Sequence, residues 1–312
     1  MAKPLIGFIG QGWIGKHYAD DFKNRGYGVV RYGLEEAYAK NKNLIKDCEV
    51  VFIAVPTPTT SNGFDDSILR QVVKNVGDGK VAVIKSTIIL GATKSIQKEN
   101  PDIFVFHSPE FLTESRAAYD AAHPNRNIIG LPVMDDEHIN KAKEVLAVLP
   151  KAPYELICQA EEAELIKYAG NCWFYFKVLY INLIYELAEK LGLNYDAVKE
   201  AMAADPRIGG SHLNPLHKSG TAGGQAEAAL KTNDFHLEPI HKTGRGAGGH
   251  CFIKDFAAFS RVYEDTVNDE LGTRVLEAIK EKNIDLLISS RKDLDLLAGV
   301  YGEDIIKKRK NN

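Results

Sequence analysis

Cys251 is the residue in this chain best placed to do covalent chemistry. It follows GRGAGG, in which Gly244, Gly246, Gly248 and Gly249 supply four of six residues. A thiol at a helix start, after exposed backbone N–H groups and with Lys254 three residues on, ionises more readily than a free cysteine. Asp255 stands at i+4 and shares the helix face of Cys251, where a carboxylate can orient or activate water. The competing reading is a buried structural cysteine, and it is the one adopted for Cys48, Cys158 and Cys172. Two further sets share a face. Glu164, Lys167 and Asn171 recur at i, i+3 and i+7 on an otherwise apolar helix, where the plain reading of the lysine is snorkelling to solvent. Glu110 and Glu114 stand four apart, as on one helical turn or on an exposed acidic one.

The elements that position these groups fall into two halves. Strand-like runs LIGFI (5–9), GVVRY (28–32), VVFIAV (50–55), VAVIK (81–85), IFVF (103–106) and NIIGL (127–131) alternate with amphipathic segments such as 66–76. That alternation predicts an α/β fold with a parallel, doubly wound sheet of Rossmann type over residues 1–158. Gly10, Gly12 and Gly15 form GxGxxG directly after the first strand, which predicts a dinucleotide site. The acidic residue expected about 20 positions later is replaced by Gly33. Glu35 or Glu36 is the candidate substitute, and Arg31 keeps NADP open beside the preferred NAD.

Residues 159–312 predict an all-helical domain that serves dimerisation. Over 161–191 there is no proline and one interior glycine, Gly170. This predicts a central helix of about 45 Å. NCWFYFKVLYINLIYEL is apolar on nearly every face, so the helix is expected to be buried all round, by a second copy in a homodimer.

Composition narrows the classes. The 312 residues carry 39 basic and 42 acidic side chains, a net charge of −3, which gives no footprint for nucleic acid. No apolar run reaches membrane length, and the first strand begins too early for a signal peptide. Four cysteines without CxxC pairs suit a reduced, cytoplasmic protein.

Seven segments in order carry a family resemblance: GFIGQGWIG (7–15), VPTPT (55–59), KSTIILGAT (85–93), SPEFLTE (108–114), AELIKYAGN (163–171), DPRIG (205–209) and GGHCFIKD (248–255). Over nearly its whole length the chain resembles the nucleotide-sugar 6-dehydrogenases that act on UDP-glucose, GDP-mannose and UDP-N-acetylmannosamine. The resemblance implies an NAD-dependent oxidation of a primary alcohol to a carboxylate in two hydride transfers, through a thiohemiacetal and thioester on Cys251. It implies that Lys167 and Asn171 stabilise the oxyanion, and that Glu114 and Thr87 handle water or a proton. By the same resemblance Asp255 serves hydrolysis. Gly10, Gly12, Trp13, Ile14, Gly15, Thr57, Thr87 and Glu114 contact the cofactor. Glu110, Phe111, Leu112, Lys167, Asn171, Arg207 and Gly248 contact a sugar or nucleotide-sugar substrate, Arg207 from across a dimer. A single-step hydroxyacid dehydrogenase and a catalytically weak dinucleotide-binding relative are the alternatives.

The chain departs from that pattern in two places. Full-length relatives continue into a second Rossmann-like domain, whereas no further βαβ pattern precedes Asn312, so weak selectivity for UDP is expected. The loop 205–249 is longer than in the family and contains a near-repeat, SHLNPLHKSG (211–220) and FHLEPIHKTG (235–244). Its histidines, His212, His217, His236 and His241, are spaced five apart within each copy. Local duplication explains that spacing without a metal, and flexibility is its expected consequence.

Overall fold

The structure is a computed structural model that describes residues 3–113, 116–219 and 243–306. Glu114, His236 and His241 therefore lie outside the described residues. The chain divides into two compact units, one of Met1–Pro58 with Phe64–Lys167, the other of Thr59–Gly63 with Tyr168–Asn312.

The first unit is built on a seven-stranded sheet. Its strands are β1 (Ile6–Ile9), β2 (Val29–Tyr32), β3 (Val50–Ile53), β6 (Val81–Ile84), β7 (Phe104–His107), β8 (Arg126–Leu131) and β9 (Tyr154–Gln159), in the order β2-β1-β3-β6-β7-β8-β9. Alternate side chains enter opposite faces. Phe8, Phe52 and Val83 pack on one side with Phe22. Ile9, Ile53 and Ile84 pack on the other. Burial on both faces explains why these strands read as unbroken apolar runs. The chain leaves β1 for β2 and returns past β1 to β3, so the order reverses between β1 and β3. Ligands of such sheets bind at that point, beyond the carboxyl ends of the strands.

Two features depart from the expected parallel sheet. β8 runs antiparallel to β7 through the pair His107 and Gly130. β9 adds a seventh strand, parallel to β8, that the pattern of the sequence does not separate from the helical half. β9 ends at Gln159 and the next helix begins at Ala160, so no turn residues mark the change. A short two-stranded hairpin pairs β4 (Thr59–Thr60) with β5 (Gly63–Phe64). The helices of this part are α1 (Trp13–Asn24), α2 (Glu36–Ala39), α3 (Ser67–Val73), α4 (Ala92–Glu99), α5 (Ala117–Ala122) and α6 (Asp136–Val148).

The helix expected over 161–191 is a single 32-residue helix, α7 (Ala160–Leu191). It is followed by α8 (Tyr195–Ala204), α9 (Gly249–Val267), α10 (Glu270–Ser290) and α11 (Leu294–Tyr301). Within the second unit α7 buries Cys172, Tyr175, Val178 and Leu179 with Phe256 of α9 and Leu276 and Leu286 of α10. Tyr175 stacks on Phe256 at 4.0 Å between ring centroids. The expectation of burial all round is corrected for the single chain. Trp173, Tyr180, Leu183, Leu187 and Leu191 are exposed, and their spacing of three, four and seven residues puts them on one stripe. Among the described residues no helix is long and apolar enough to cross a membrane.

Glu164 has a structural task in the first unit. It is fully buried, and its carboxylate accepts from Gly91 N (2.6 Å), Thr93 N (2.9 Å) and Thr93 Oγ1 (2.6 Å). These are donors at the start of α4, which has no side-chain cap of its own, so a carboxylate from α7 caps α4. Glu164→Ala is expected to lower the unfolding free energy by about 3 kcal/mol, because it strands buried donors. Urea titration monitored by circular dichroism checks this; a loss under about 0.5 kcal/mol would mean that water replaces the carboxylate.

Candidate functional site

The glycine turn after β1 has the geometry of a pyrophosphate cradle. Gly10 has φ +88°, and a Cβ there would lie 2.1 Å from the Ala54 carbonyl oxygen. A Cβ on Gly15 would lie 1.9 Å from the Gly10 carbonyl oxygen, so α1 packs directly on the turn. A Cβ on Gly12 would meet nothing within 4 Å. Two glycines thus serve tight packing, and the middle one leaves its backbone open to a ligand. Gly12 also caps α1 without a side-chain bond or an acidic first turn, as an anion at that helix end requires. Trp13 and Ile14 follow on α1, Trp13 half exposed with its ring edge against His17.

Of the two glutamates offered for the ribose, Glu35 has the better-placed carboxylate. Glu35 Oε2 would lie 2.3 Å from a Cβ on Gly33, so its carboxylate occupies the space that Gly33 leaves free. That oxygen is buried with no hydrogen-bond partner among the described residues, which suits it to a ribose hydroxyl. Arg31 is bound instead to Asp20 at 2.6 Å. These residues fit NAD, whose 2′-hydroxyl needs an acceptor, better than the 2′-phosphate of NADP. Two loops at the same edge of the sheet are laced together. Ser86 Oγ donates to the Val55 carbonyl (2.7 Å) and accepts from Val55 N (2.9 Å), while Thr57 Oγ1 donates to the Thr87 carbonyl (2.7 Å). The expected cofactor contacts Thr57 and Thr87 are therefore neighbours.

Lys167 does not snorkel. It is buried, and its Nζ donates to the Glu110 carbonyl and to Glu110 Oε1, both at 2.7 Å. Burial alone would raise the Glu110 carboxyl, but Lys167, the Leu112 N–H and Lys85 together hold it below its ordinary value. Lys85 reads in the sequence only as the polar end of a strand. It is buried, donates to Ser108 Oγ at 3.1 Å and lies over the Tyr18 ring. Burial brings it down to about 7, with Glu110 opposing and Lys167 adding to the fall. His107 next to Ser108 is buried, and burial foremost, with Lys85 and Lys167 adding, takes it to about 3. Phe111 lies under Arg126 at 3.7 Å and Leu112 packs into the core beside the sheet, so both side chains are held in this unit.

In the second unit Cys251 is exposed, whereas Cys48, Cys158 and Cys172 are buried. Asp255, one turn along α9, is almost fully buried and accepts from Asn171 Nδ2 and Lys254 Nζ, both at 2.6 Å. Lys254 thus contacts the carboxylate of its neighbour. Arg207 is 88% exposed along its side chain and folds back on Asp205. Gly248 caps α9.

The glycines before Cys251 do not make a slack loop. Gly244 pairs with His217 through two backbone bonds of 3.1 Å. Ala247 gives its N–H to Asn283 Oδ1 (2.7 Å) and takes Asn283 Nδ2 on its carbonyl (3.0 Å). Arg245 reaches Asn182 and Glu186 of α7 at 2.8 Å each. A Cβ on Gly244 would lie 2.7 Å from Ser290 Oγ. The small residues allow these partners to close in.

Residues 30–149 match the NAD-binding domain of the UDP-glucose/GDP-mannose dehydrogenase family, and residues 161–231 match its central domain. A UDP-glucose 6-dehydrogenase of Bacillus subtilis is 29% identical over 317 residues, covering 94% of this chain and 64% of its own length. One from Streptococcus pneumoniae is 30% identical over 258 residues, covering 79% of this chain and 58% of its own length. The chain thus spans less than two thirds of the length of either relative. A UDP-glucose dehydrogenase from the hyperthermophilic archaeon Pyrobaculum islandicum has the same fold, with a TM-score of 0.70 at 23% identity over 92% of this chain and 70% of that one.

Glu35→Ala is expected to weaken NAD binding about tenfold by removing the ribose acceptor. Calorimetric titration of NAD checks it, and unchanged affinity would assign the ribose to another group.

Proposed function

Because the chain belongs to the UDP-glucose/GDP-mannose dehydrogenase family, we propose that it oxidises the primary alcohol of a sugar or nucleotide sugar to a carboxylate, with Cys251 as the nucleophile between two oxidations. NAD held at the glycine turn of Gly10, Gly12 and Gly15 would supply the hydride acceptor for each. The observation that carries this reading is the pairing of an exposed thiol with a buried carboxylate one helical turn away, the latter held by Asn171. The aldehyde formed first adds the Cys251 thiolate at its carbonyl carbon. Loss of a second hydride leaves a thioester, and water cleaves the C–S bond to give the acid and the free thiol. Lys167 and Asn171 supply a positive charge and an amide donor for the oxyanion. Asp255 orients the hydrolytic water, and Thr87 with Glu114 handles the proton of the alcohol. Glu110 holds Lys167 until substrate competes for it. Arg207, on an exposed turn, serves substrate bound to a second copy.

In the unmodified chain each sugar oxidised is expected to yield two reduced cofactors. Cys251→Ala should stop at the aldehyde and yield one. Absorbance stoichiometry together with mass spectrometry of the protein during turnover checks both. One reduced cofactor per sugar, unchanged by Cys251→Ala, would instead promote a single-step hydroxyacid-type dehydrogenase.

The same reading includes a homodimer built on the exposed α7 stripe of Trp173, Tyr180, Leu183, Leu187 and Leu191, a contiguous apolar surface of the kind that associates. Light scattering at micromolar concentration is expected to give twice the chain mass, and Leu187→Glu to give a monomer. A soluble monomer of the unmodified chain would rule the interface out.

A further inference from the structure

The glycine segment before Cys251 lies against the corner between α10 and α11, which none of the roles above uses. Lys292 is fully buried there. Its Nζ donates to the Gly246 carbonyl at 2.9 Å and lies 3.0 Å from His217 Nε2. His217 Nδ1 lies 3.1 Å from the Asn214 carbonyl. A carbonyl can only accept, so Nδ1 carries the proton and Nε2 accepts from Lys292. Burial foremost, and then Lys292, brings His217 down to about 4, so the ring stays neutral. Burial brings Lys292 to about 8 against the pull of Asp293.

Asp293 faces the same segment. Its Oδ2 accepts from Gly249 N at 2.7 Å and from Ser219 Oγ. Gly249 is the first residue of α9 and Cys251 the third. A Cβ on Gly248 would lie 2.0 Å from Asp293 Oδ2 and 3.0 Å from Lys292 Cε. Arg291 and Asp293 both take left-handed backbone angles, φ +55° and +50°, at a cost of about 1 kcal/mol each. These strained positions flank and include the buried pair Lys292 and Asp293, whereas Arg291 itself is exposed.

The two charges act on a thiol in opposite senses. A carboxylate at the N-terminal end of α9 disfavours the thiolate, and an ammonium behind the same backbone favours it. We infer that the Lys292–Asp293 corner, locked by His217 and Ser219 of the first duplicated copy, positions the Cys251 thiol and sets its charge environment. The first copy of the repeat is then a clamp on the second copy's exit at Gly244. The corner acts through the backbone of 246–249, so Lys292 and Asp293 are positioning residues. Their value to turnover rests on the proposed role of Cys251. Other titratable groups about the start of α9 are His250, Lys254 and Asp255 on the helix, His217 and Lys218 on the loop, and Cys172 on α7.

The test is the pH profile of Cys251 alkylation by iodoacetamide in the full chain, read by peptide mass spectrometry with Cys251→Ala as baseline. The other thiols are buried and pushed up, Cys48 to about 12 and Cys158 to about 11. Asp293→Asn keeps size and an acceptor oxygen; its midpoint is expected to fall and its rate at pH 7 to rise about threefold. Lys292→Met is expected to raise the midpoint and slow the rate about threefold. A merely loosened loop would speed both variants alike. Midpoints that move together, or not at all, overturn the inference. If Lys292→Met does not fold, Asp293→Asn decides alone, and an unmoved or raised midpoint overturns it. Alkylation reads the thiol and not turnover, so a chain that oxidises no sugar would sink the proposed function and leave this result standing.

Discussion

Lys167 and Glu110 meet at 2.7 Å where both are nearly excluded from water. A buried charge without a partner is costly, whereas a paired and hydrogen-bonded one is tolerated. The pair therefore constrains the SPEF segment: Lys167 binds the Glu110 backbone carbonyl as well as its carboxylate, and the other carboxylate oxygen takes the Leu112 N–H. Glu164, one turn earlier on α7, does the same for the loop that carries Thr87. Two charged residues on one helix thereby hold the two loops that the proposed chemistry uses. Lys85 adds a second buried cation near Glu110, so the cluster carries more positive than negative charge when all three groups are ionised. That excess is suited to an oxyanion.

The glycines of the second unit follow a different logic. Read along the chain, GRGAGG looks like freedom of movement. In the fold most of its backbone groups are bonded to Asn283, Ser290, Lys292, Asp293 or His217. Glycine is required because the partners stand where a Cβ would be. The absence of a side chain here serves rigidity, and a rigid approach to α9 fixes where Cys251 emerges. Sites that must hold a nucleophile in one geometry benefit from such support.

Much of the first unit was legible. The runs around Phe8, Phe52 and Val83 became central strands, and the glycine turn took the conformation its spacing implied. β9 is not legible, because YELICQ passes into α7 without turn residues. The reversed direction of β8 left no mark, since a strand buried on both faces has the same pattern in either direction. The sequence shows Lys167 as a lysine on an apolar helix but does not show its partner Glu110. The all-round apolar character of α7 was visible, yet which stripe stays uncovered depended on where α9 and α10 pack.

The sequence by itself determined the local grammar: the glycine turn on its strand and helix, the 32-residue helix, the thiol at the start of α9, and the family to which the ordered motifs belong. These depend on dihedral preferences and periodicities that operate within a few residues. Only the tertiary structure decided which donor answers which acceptor. Lys167 and Glu110 are 57 residues apart, Glu164 and Thr93 are 71 apart, Asn171 and Asp255 are 84 apart, and Lys292 reaches back 75 to His217. No local preference specifies such pairs. They are selected because burying one charged or polar group requires the fold to bring up another.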